Sequence, residues 1–457
     1  MNESTTPVIK QFTGCATLAA IGIKLRELKV FQPIKQSVQI AQKTIKDSPA
    51  DKLYDAFISL LAGAHGLVEI NMRLRADGAL QRAFGRSRCA EQSVVQDTLN
   101  ACTPENVEQM EQAMESIYRQ HSQGYQHDYQ ARFQVLDVDM SGLPCGPKAA
   151  FATKGYFAKQ RNRRGRQLGR VLASHYGEIV VDRLFDGKTQ LTRALQPLLL
   201  AAEATLHLDA DKRRRTIVRV DAGGGSLGDV NWLLARDYQV HCKDYSGQQA
   251  KRLARSVHDW YIDPQLPERQ FGWVSEATEA YVRPVKRLAV RCRQQDGQWA
   301  YGVLISALSA QHVLTLTGQS LSLLDDPAAV LLAYVRFYDQ RGGGVETSFK
   351  GDKQGLGIGK RSKKRFAAQQ MVMLLGSLAH NVIIWARRWL ASPALQHYGM
   401  LRMVRDVFHI SGFLLTDALG QVVQIVLNQA APLAPALVDP LGALLARTHV
   451  AVTLGQT

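Results

Sequence analysis

The hydrophobic positions of this chain repeat with different periods, and the change of period divides the sequence into regions. Between residues 50 and 130 the apolar residues recur every three or four positions, as in DKLYDAFISLLAGAHGLVEINMRL, which predicts amphipathic helices. Thr103 and Pro104 place a capping residue before a proline at the first position of the helix ENVEQMEQAMESIYRQ. We therefore predict a helical module over residues 1–130.

From Ala131 the pattern changes to short β-branched runs separated by turn residues. The runs RFQVLDVDMSG, GRQLGRVLASHYG and EIVVDRLFDG predict three strands. The helix LTRALQPLLLAAEATLHL, the strand TIVRVDAGG, the helix DVNWLLARDY and the strand QVHCKDY follow. This α/β order matches that of an RNase H-like domain, and we assign its first part to residues 131–245.

Two acidic residues end strands of this region: Asp139 in VLDVDMSGLP and Asp221 in TIVRVDAGGGS. Neighbouring strands of one sheet would place the two carboxylates side by side, although they are far apart in sequence. Asp137 lies two residues before Asp139 on the same face of its strand, so it is an alternative to Asp139. The sequence therefore predicts a pair of acids at one edge of the sheet.

The remainder of the chain divides into three parts. Residues 246–325 contain EAYVRPVKRLAVRCRQQDGQWAYGVLISAL and HVLTLTG, which predict a β-rich insertion with a hairpin turn at Asp296 and Gly297. Residues 326–392 are helical again and include YDQRGGGVETSFKGDK. Residues 393–457 contain a predicted strand, GQVVQIVLNQ, and a proline-rich helix start, APLAPALVDPLGALLART.

The most apolar stretch, MVMLLGSLAHNVIIWARRWL, is interrupted by glycine, serine, histidine and asparagine. Its uninterrupted apolar runs are shorter than the roughly 20 residues of a membrane span. We predict a buried helix there and no membrane partner.

Charge narrows the class of partner. The chain has 56 Lys and Arg against 40 Asp and Glu, a formal charge of +16, which favours a nucleic acid or an anionic membrane surface. A generally basic surface is the alternative.

The six cysteines form no CxxC pair, and MNESTTPVIKQFTG has no basic segment followed by an apolar core. We expect reduced thiols and a cytoplasmic, nucleoid-associated protein.

A third acid completes a recognisable motif. Tyr338, Arg341, Glu346 and Lys353 resemble the Y-(2)-R-(3)-E-(6)-K signature of bacterial insertion-sequence transposases of the DDE superfamily, in the group headed by insertion sequence four. The motifs VDMSGLP and RVDAGGGS precede it in the family's order. The resemblance extends from about residue 50 to the buried helix ending near residue 392.

The resemblance implies an RNase H-like catalytic core with a β-rich insertion, flanked by an N-terminal helical module and C-terminal helices. It implies that Asp139, Asp221 and Glu346 hold two Mg²⁺ ions, for which Mn²⁺ would substitute. Asp139 is preferred to Asp137 because the family has an acid followed by a small hydroxyl residue at this strand end. Tyr338 and Arg341, with Lys353, would contact DNA at the element's ends.

The implied activity is cleavage at the terminal repeats of the element and joining of those ends to target DNA. A homodimeric synaptic complex is also implied. Independently of the resemblance, we predict that the N-terminal module binds DNA and that residues 393–457 contribute to dimerisation. Mg²⁺ prefers oxygen ligands, and two such ions can activate water and stabilise the leaving 3′ oxygen. With a 3′ hydroxyl as the nucleophile, the same site can perform strand transfer.

One departure from the signature concerns its spacing. Four residues, Gly342 to Val345, separate Arg341 from Glu346, where the family has three. In an unbroken helix this separation would turn the two side chains roughly 140° apart instead of about 40°. Because glycine runs weaken helix interiors, we predict a bend or bulge between them.

Basic residues after Glu346 are further candidates for DNA contacts. Lys350 and Lys353 lie four and seven residues after Glu346 and would share its helix face, unless that face is simply solvated. Lys360 and Arg361 belong to GKRSKKR, which is not a Walker motif because Arg361 follows Gly-Lys. We predict that this run contacts the phosphate backbone.

Trp299 near the hairpin turn could stack on an unpaired base. Packing within the hairpin is the alternative.

Two other functions compete with an active transposase: a domesticated DNA-binding protein of transposase descent that does not cleave, and a nucleic-acid or membrane-surface protein whose acids are incidental. The presence of all three acids argues for the enzyme.

Overall fold

The computed structural model describes residues 9–43, 46–155, 157, 160, 162–277 and 280–456. The first eight residues, on which the expectation about a secretory signal partly rests, lie outside these ranges. The described chain has a mixed α/β fold. A ten-stranded mixed sheet lies at its centre, and a separate four-stranded sheet joins residues from both ends of the chain.

The N-terminal region is helical after one short strand, as the spacing of its apolar residues predicted. Its elements are β1 (Ile9–Thr13), α1 (Ala16–Glu27), α2 (Gln32–Ser37), α3 (Pro49–Leu61), α4 (Glu69–Arg73), α5 (Gly78–Ala83), α6 (Gln92–Ala101) and α7 (Pro104–His121). The Thr103 hydroxyl accepts a hydrogen bond from the backbone N–H of Asn106, and Pro104 is the first residue of α7. The predicted cap of this helix is therefore confirmed.

The next region has the predicted order of strands and helices, with two short additional elements, β3 and α9. The elements are β2 (Gln134–Pro144), β3 (Thr153–Lys154), β4 (Arg164–Ala173), β5 (Glu178–Asp186), α8 (Leu191–Leu206), α9 (Ala210–Arg214), β6 (Thr216–Val220), α10 (Leu227–Ala235) and β7 (Gln239–Lys243). The strands lie in the order β5, β4, β2, β6, β7. The pairs β5–β4 and β4–β2 are antiparallel, whereas β2–β6 and β6–β7 are parallel.

Strands from residues 246–325 continue the same sheet. The elements there are α11 (Gly247–Leu253), β8 (Tyr261–Ile262), β9 (Arg269–Trp273), β10 (Lys286–Arg293), β11 (Trp299–Ser306) and α12 (Ala310–Leu316). Strand β11 pairs with β7, and β10, β9 and β8 follow outward. The hairpin turn is confirmed, with Gly297 at a φ of 78° that favours glycine.

The segment HVLTLTG is a helix, and its prediction as a strand was wrong. The hydroxyl of Ser309 caps α12 by accepting from the backbone N–H of His312. Val313 and Leu314 are buried against the helix that follows. Packing of adjacent apolar residues against that neighbouring helix outweighs the β propensity of the isolated run.

Three helices complete the part of the chain that carries the third acid: α13 (Pro327–Arg341), α14 (Thr347–Gly355) and α15 (Phe366–Leu390). Leu136 and Val138 of β2 face the cluster built by α8 and α10, whereas Val135 packs with α13 on the opposite face. Because strand residues alternate between faces, Asp137 and Asp139 point to the side of α13.

Helix α15 is long and apolar enough to cross a membrane by length and composition alone. In this fold, however, 94% of its most apolar 18-residue window is buried. It packs against α3, α6, α7 and β5. The prediction of a buried helix is confirmed, and α15 joins the N-terminal helices to the sheet.

The C-terminal region, expected to flank the core as helices, contains strands as well. Its elements are α16 (Met400–Arg402), β12 (Gly412–Thr416), β13 (Val422–Asn428), α17 (Val438–Leu445) and β14 (Ala451–Gly455). Strand β13 matches the predicted strand, and β12 pairs with β1 from the other end of the chain. That partner is remote in sequence, so no local pattern indicated the sheet.

Candidate active site

Parallel pairing of β2 with β6 brings two of the predicted acids together. The register places Asp137 opposite Arg219 and Val138 opposite Val220. Asp139 and Asp221 are the next residues of the two strands, so they follow in the same register. Both therefore lie where the parallel pairing ends, side by side as the sequence predicted. Strand β2 itself continues past Asp139 to Pro144, paired with β4, so the prediction that Asp139 ends its strand was wrong.

A tight turn fixes Asp221 at this edge. Its Oδ1 accepts a hydrogen bond of 2.8 Å from the backbone N–H of Gly223. The turn passes so close to β7 that a Cβ on Gly225 would lie 1.8 Å from the carbonyl oxygen of Lys243. Close packing between turn and strand thus explains the last of the three glycines after Asp221.

Glu346 reaches the same edge because the helix is broken before it. Residues Gly342–Glu346 form a π-type segment between α13 and α14, and Gly344 has a non-helical conformation with φ −90° and ψ −109°. A Cβ on Gly344 would lie 2.5 Å from Oδ2 of Asp137. The predicted bend between Arg341 and Glu346 is confirmed.

Arg341 lies between the acids and pairs with two of them. Its Nη2 is 2.9 Å from Oδ2 of Asp139, and its Nη1 donates to Oε1 of Glu346 at 2.9 Å. The same Nη2 donates to the carbonyl oxygen of Val138 at 3.3 Å. The Arg341 side chain is buried, so in this conformation it neutralises the acids and does not face a groove where DNA could lie.

The three carboxylates have the right chemistry for a hard divalent cation, but they are not arranged as a finished metal site. Within the ranges that the structure describes, no three His, Cys, Asp or Glu side chains are close enough together to hold a metal ion as they stand. Arg341 takes the place of a cation at two of the three acids. Arg341 occupies one oxygen of Asp139 and one of Glu346 in this conformation.

Electrostatics distinguishes Asp139 from an ordinary surface carboxylate. Burial raises the pKa of Asp139 to about 6, and the negative charges of Asp221 and Glu346 act in the same direction. The guanidinium of Arg341 and the N–H of Met140 favour ionisation but do not compensate fully. Perturbed acids of this kind are enriched at functional sites.

Asp137, the alternative first ligand, is enclosed. It has no exposed surface, and Arg219 holds both of its oxygens, with Nε at 2.7 Å and Nη2 at 2.9 Å. Ser174 donates a further hydrogen bond to Oδ2. These partners leave Asp137 inaccessible, and this geometry favours Asp139.

A groove of about 790 Å³ opens beside Asp139 and Asp221. Lys353 lines it and donates hydrogen bonds to the hydroxyl of Ser141 at 2.7 Å and to the carbonyl oxygen of Gly142 at 3.1 Å. The exposed lysines Lys154 and Lys188 also line the groove. They lie in or beside loops and belong to no sequence motif, so nothing in the local pattern indicated them.

The structure separates the basic residues that the sequence grouped together. Lys350 is exposed and lines a different cleft with Gly343 and Gly344, away from Lys353. Lys360 is exposed, whereas Arg361 is buried and donates to the carbonyl oxygens of Ala64 and Leu356. Arg361 thus joins the helical region to the core, which is a structural role instead of the predicted phosphate contact.

Tyr338 and Trp299 are both partly buried. Tyr338 packs near the ring of His241, at 6.1 Å, and Asp221 and Glu346 are among its acidic neighbours. The guanidinium of Arg291 lies 4.6 Å from the ring of Trp299 and 4.0 Å from that of Trp260. Trp299 therefore has one face occupied within the hairpin, which is the packing alternative.

Sequence reasoning missed a buried ionic cluster behind the site. Arg170 of β4 pairs with Asp182 of β5 and Asp352 of α14, each at 2.7 Å, and Asp352 also binds Nδ1 of His380 at 2.7 Å. Arg170 donates to the hydroxyl of Ser348 as well. The cluster ties the helix after Glu346 to the sheet, and its members are too far apart in sequence to form a motif.

No model of a known protein family matches the sequence, and no curated protein matches it. Among solved structures, the chain is similar to a piggyBac transposase in a synaptic complex with hairpin DNA, studied by cryo-electron microscopy. The identity is 11%, the similarity covers 84% of this chain and 79% of that one, and the TM-score is 0.48. A similarity at this level does not assign a family or a function to this chain.

Proposed function

We propose that this protein is a metal-dependent DNA transposase of the DDE superfamily, in the group headed by insertion sequence four. The observation that carries the proposal is the meeting of Asp139, Asp221 and Glu346, from three distant segments, at one edge of the sheet beside a lysine-lined groove. All three carboxylates have the buried guanidinium of Arg341 as a neighbour.

The topology supports the same proposal. Three antiparallel strands followed by two parallel ones, in the order β5, β4, β2, β6, β7, are the arrangement of an RNase H-like core. In such a core the first and fourth strands, here β2 and β6, are neighbours. Acids that lie where their pairing ends therefore face one substrate. Fold alone does not establish function, and the site residues are what specify this one.

The chain's own residues would divide the work at a phosphodiester. Asp139, Asp221 and Glu346 would hold Mg²⁺ or Mn²⁺, and the bound ions would supply an activated water or 3′ hydroxyl and stabilise charge on the leaving oxygen. Lys353, fixed by Ser141 and Gly142, would orient a phosphate in the groove. Lys154 and Lys188 would hold the strand on either side.

The partners of this activity are also part of the proposal. They are the terminal repeats of the element, target DNA, and a second copy of the chain in a homodimeric synaptic complex. The net charge of +16 supports binding to DNA. Work on chromosomal DNA would place the protein in the cytoplasm, at the nucleoid.

The test is cleavage of element-end DNA by the purified protein. We expect Mg²⁺-dependent strand cutting by the natural chain and loss of at least about a thousandfold in rate for Asp221→Asn, because a metal ligand is lost. Asp211→Asn, at an exposed helix residue, is the matched control. Equal cleavage by Asp221→Asn and the natural chain would contradict the proposal.

A second function deserves the same test. The pairing of Arg341 with Asp139 and Glu346 favours a DNA-binding protein of transposase descent that does not cleave, if Arg341 never leaves the acids. That protein would bind element-end DNA with strong salt dependence and show no cutting in Mg²⁺ or Mn²⁺.

A further inference from the structure

We infer that Arg341 is an internal counter-cation, which a divalent metal ion has to displace from Asp139 and Glu346 before the site can work. This inference rests on the proposed function and deepens it. It assigns Arg341 a role in metal binding, in place of the DNA contact expected from the sequence.

The contacts of Arg341 are those of a cation substitute. One guanidinium group bridges a carboxylate on β2 and another at the start of α14, with both N–O distances at 2.9 Å. Asp221 is a third acidic neighbour of this group. A guanidinium and a divalent cation both bind carboxylate oxygens, so they compete for the same atoms.

The bridge is incomplete on the side of Arg341. Its Nε is buried, and among the described residues it has no hydrogen-bond acceptor. Glu346 keeps 57% of its side-chain surface exposed, so this half of the bridge is open to solvent. An unsatisfied buried donor and an exposed partner make this arginine easier to displace than a fully enclosed one.

The glycines before Glu346 give the segment freedom to change. Added Cβ atoms on Gly342 and Gly343 would meet nothing within 4 Å, and neither residue has a positive φ. In this conformation neither packing nor the backbone requires glycine there. The backbone at Gly342 and Gly343 can therefore adjust as Arg341 withdraws, and the exposed side chain of Glu346 can turn toward Asp139 and Asp221.

Binding of Mn²⁺ to the full-length chain tests this inference without DNA. We would measure the free hexaaquo Mn²⁺ signal by electron paramagnetic resonance for the natural chain, Asp221→Asn, Arg341→Gln and the double variant Arg341→Gln/Asp221→Asn. Because an opposite charge at this distance changes the cation affinity of a carboxylate by about tenfold or more, we expect at least about a tenfold lower Kd in Arg341→Gln. The added Asp221→Asn change should abolish that gain.

Arg336→Gln is the matched control. Arg336 lies on the same helix and pairs with a buried acid, Asp263, which belongs to residues 246–325. The replacement removes the same charge as Arg341→Gln, but from an arginine that pairs with an acid outside the proposed metal site. It should therefore leave the Kd for Mn²⁺ within about twofold. An equal gain in both variants would reduce the effect to net charge and overturn the inference.

The remaining outcomes separate the inference from the proposed function. If Mn²⁺ binding depends on Asp221 but Arg341→Gln binds no more tightly, the inference fails and the proposed function stands. If Mn²⁺ binding depends on Asp221 in neither protein, the proposed function itself fails. Should Arg341→Gln not fold, Arg341→Lys replaces it, since one ammonium cannot bridge both carboxylates as a fork does. A Kd at or above that of the natural chain would then overturn the inference.

Discussion

Two arginines of this protein each bridge two carboxylates, and they differ in how far their partners are exposed. Arg170 and its partners Asp182 and Asp352 are each only 1% exposed. Around Arg341, Asp139 is 17% and Glu346 57% exposed. The first is the closed cluster and the second the open cluster.

One acid of each cluster has a shifted pKa, and the two shifts have opposite directions. In the closed cluster, burial alone would raise the pKa of Asp352, but the charges of His380 and Arg170 outweigh it and lower the pKa. In the open cluster burial prevails and raises the pKa of Asp139 to about 6. Pairing with arginine therefore stabilises the ionised carboxylate of Asp352, which its partners surround. It does not fully stabilise the ionised carboxylate of Asp139, which lies beside the groove.

The largest expected effect concerns the closed cluster. Arg170→Met would leave Asp182 and Asp352 buried without their cation, and we expect a loss of about 3–5 kcal/mol in the free energy of unfolding. Urea unfolding at pH 7 measures it. Arg341→Met is the comparison, and its loss should be clearly smaller because Glu346 can turn to water. Equal losses would show that exposure does not separate the clusters.

The second prediction concerns Asp137, the enclosed acid of β2, and compares it with an exposed acid of α9. Asp137→Asn would leave the buried guanidinium of Arg219 without its counter-charge, so we expect a loss of about 3 kcal/mol in the free energy of unfolding. Asp211→Asn, on an exposed side chain, should change it by less than about 0.5 kcal/mol. A change of similar size in both variants would contradict the structural role of Asp137.

The smallest effect should have the opposite sign. A raised pKa means that the folded chain holds the Asp139 proton more tightly than the unfolded chain, so ionisation costs stability as pH rises from about 4 to about 6. Asp139→Asn should therefore raise the free energy of unfolding by about 2 kcal/mol at pH 7.

Below about pH 4 this gain should disappear, since the carboxylate is then neutral in both states. Unfolding in urea at pH 7 and at pH 3.5 measures the difference. The variant should also lose cleavage. A loss of stability at pH 7, comparable to that of Asp137→Asn, would show that Asp139 is a structural acid as well.

The sequence predicted elements better than it predicted the roles of charged side chains. The period of apolar residues located β2, β4, β5, β6 and β7 and the helices between them, because a buried face imposes that period. The prediction for the segment of α12 was wrong, because a short apolar run is compatible with either a strand or a helix until the element that packs against it is known. The pairing of β1 with β12 could not be predicted from local patterns either, because the two strands come from opposite ends of the chain.

Among the site residues, the comparison with the family signature and the glycine run indicated the break before Glu346, because one additional residue does not fit the helical repeat. The local sequence pattern could not distinguish Asp137 from Asp139, because the two share a strand face. They differ in their tertiary partners, Arg219 for Asp137 and Arg341 for Asp139. Nor could it separate exposed Lys360 from buried Arg361, its neighbour in one basic run. Burial of a charge depends on partners from distant segments, here Ala64.

The sequence by itself determined the order of strands and helices, the two runs that carry Asp139 and Asp221, and the irregularity before Glu346. These follow from local rules: the periodicity of burial, the chemistry of turns and the geometry of the helix. Only the tertiary structure decided which acid is enclosed, which is open, and that Arg341 stands between the acids. Those outcomes depend on side chains that meet across the sheet, and the balance of burial against pairing exists only once they meet.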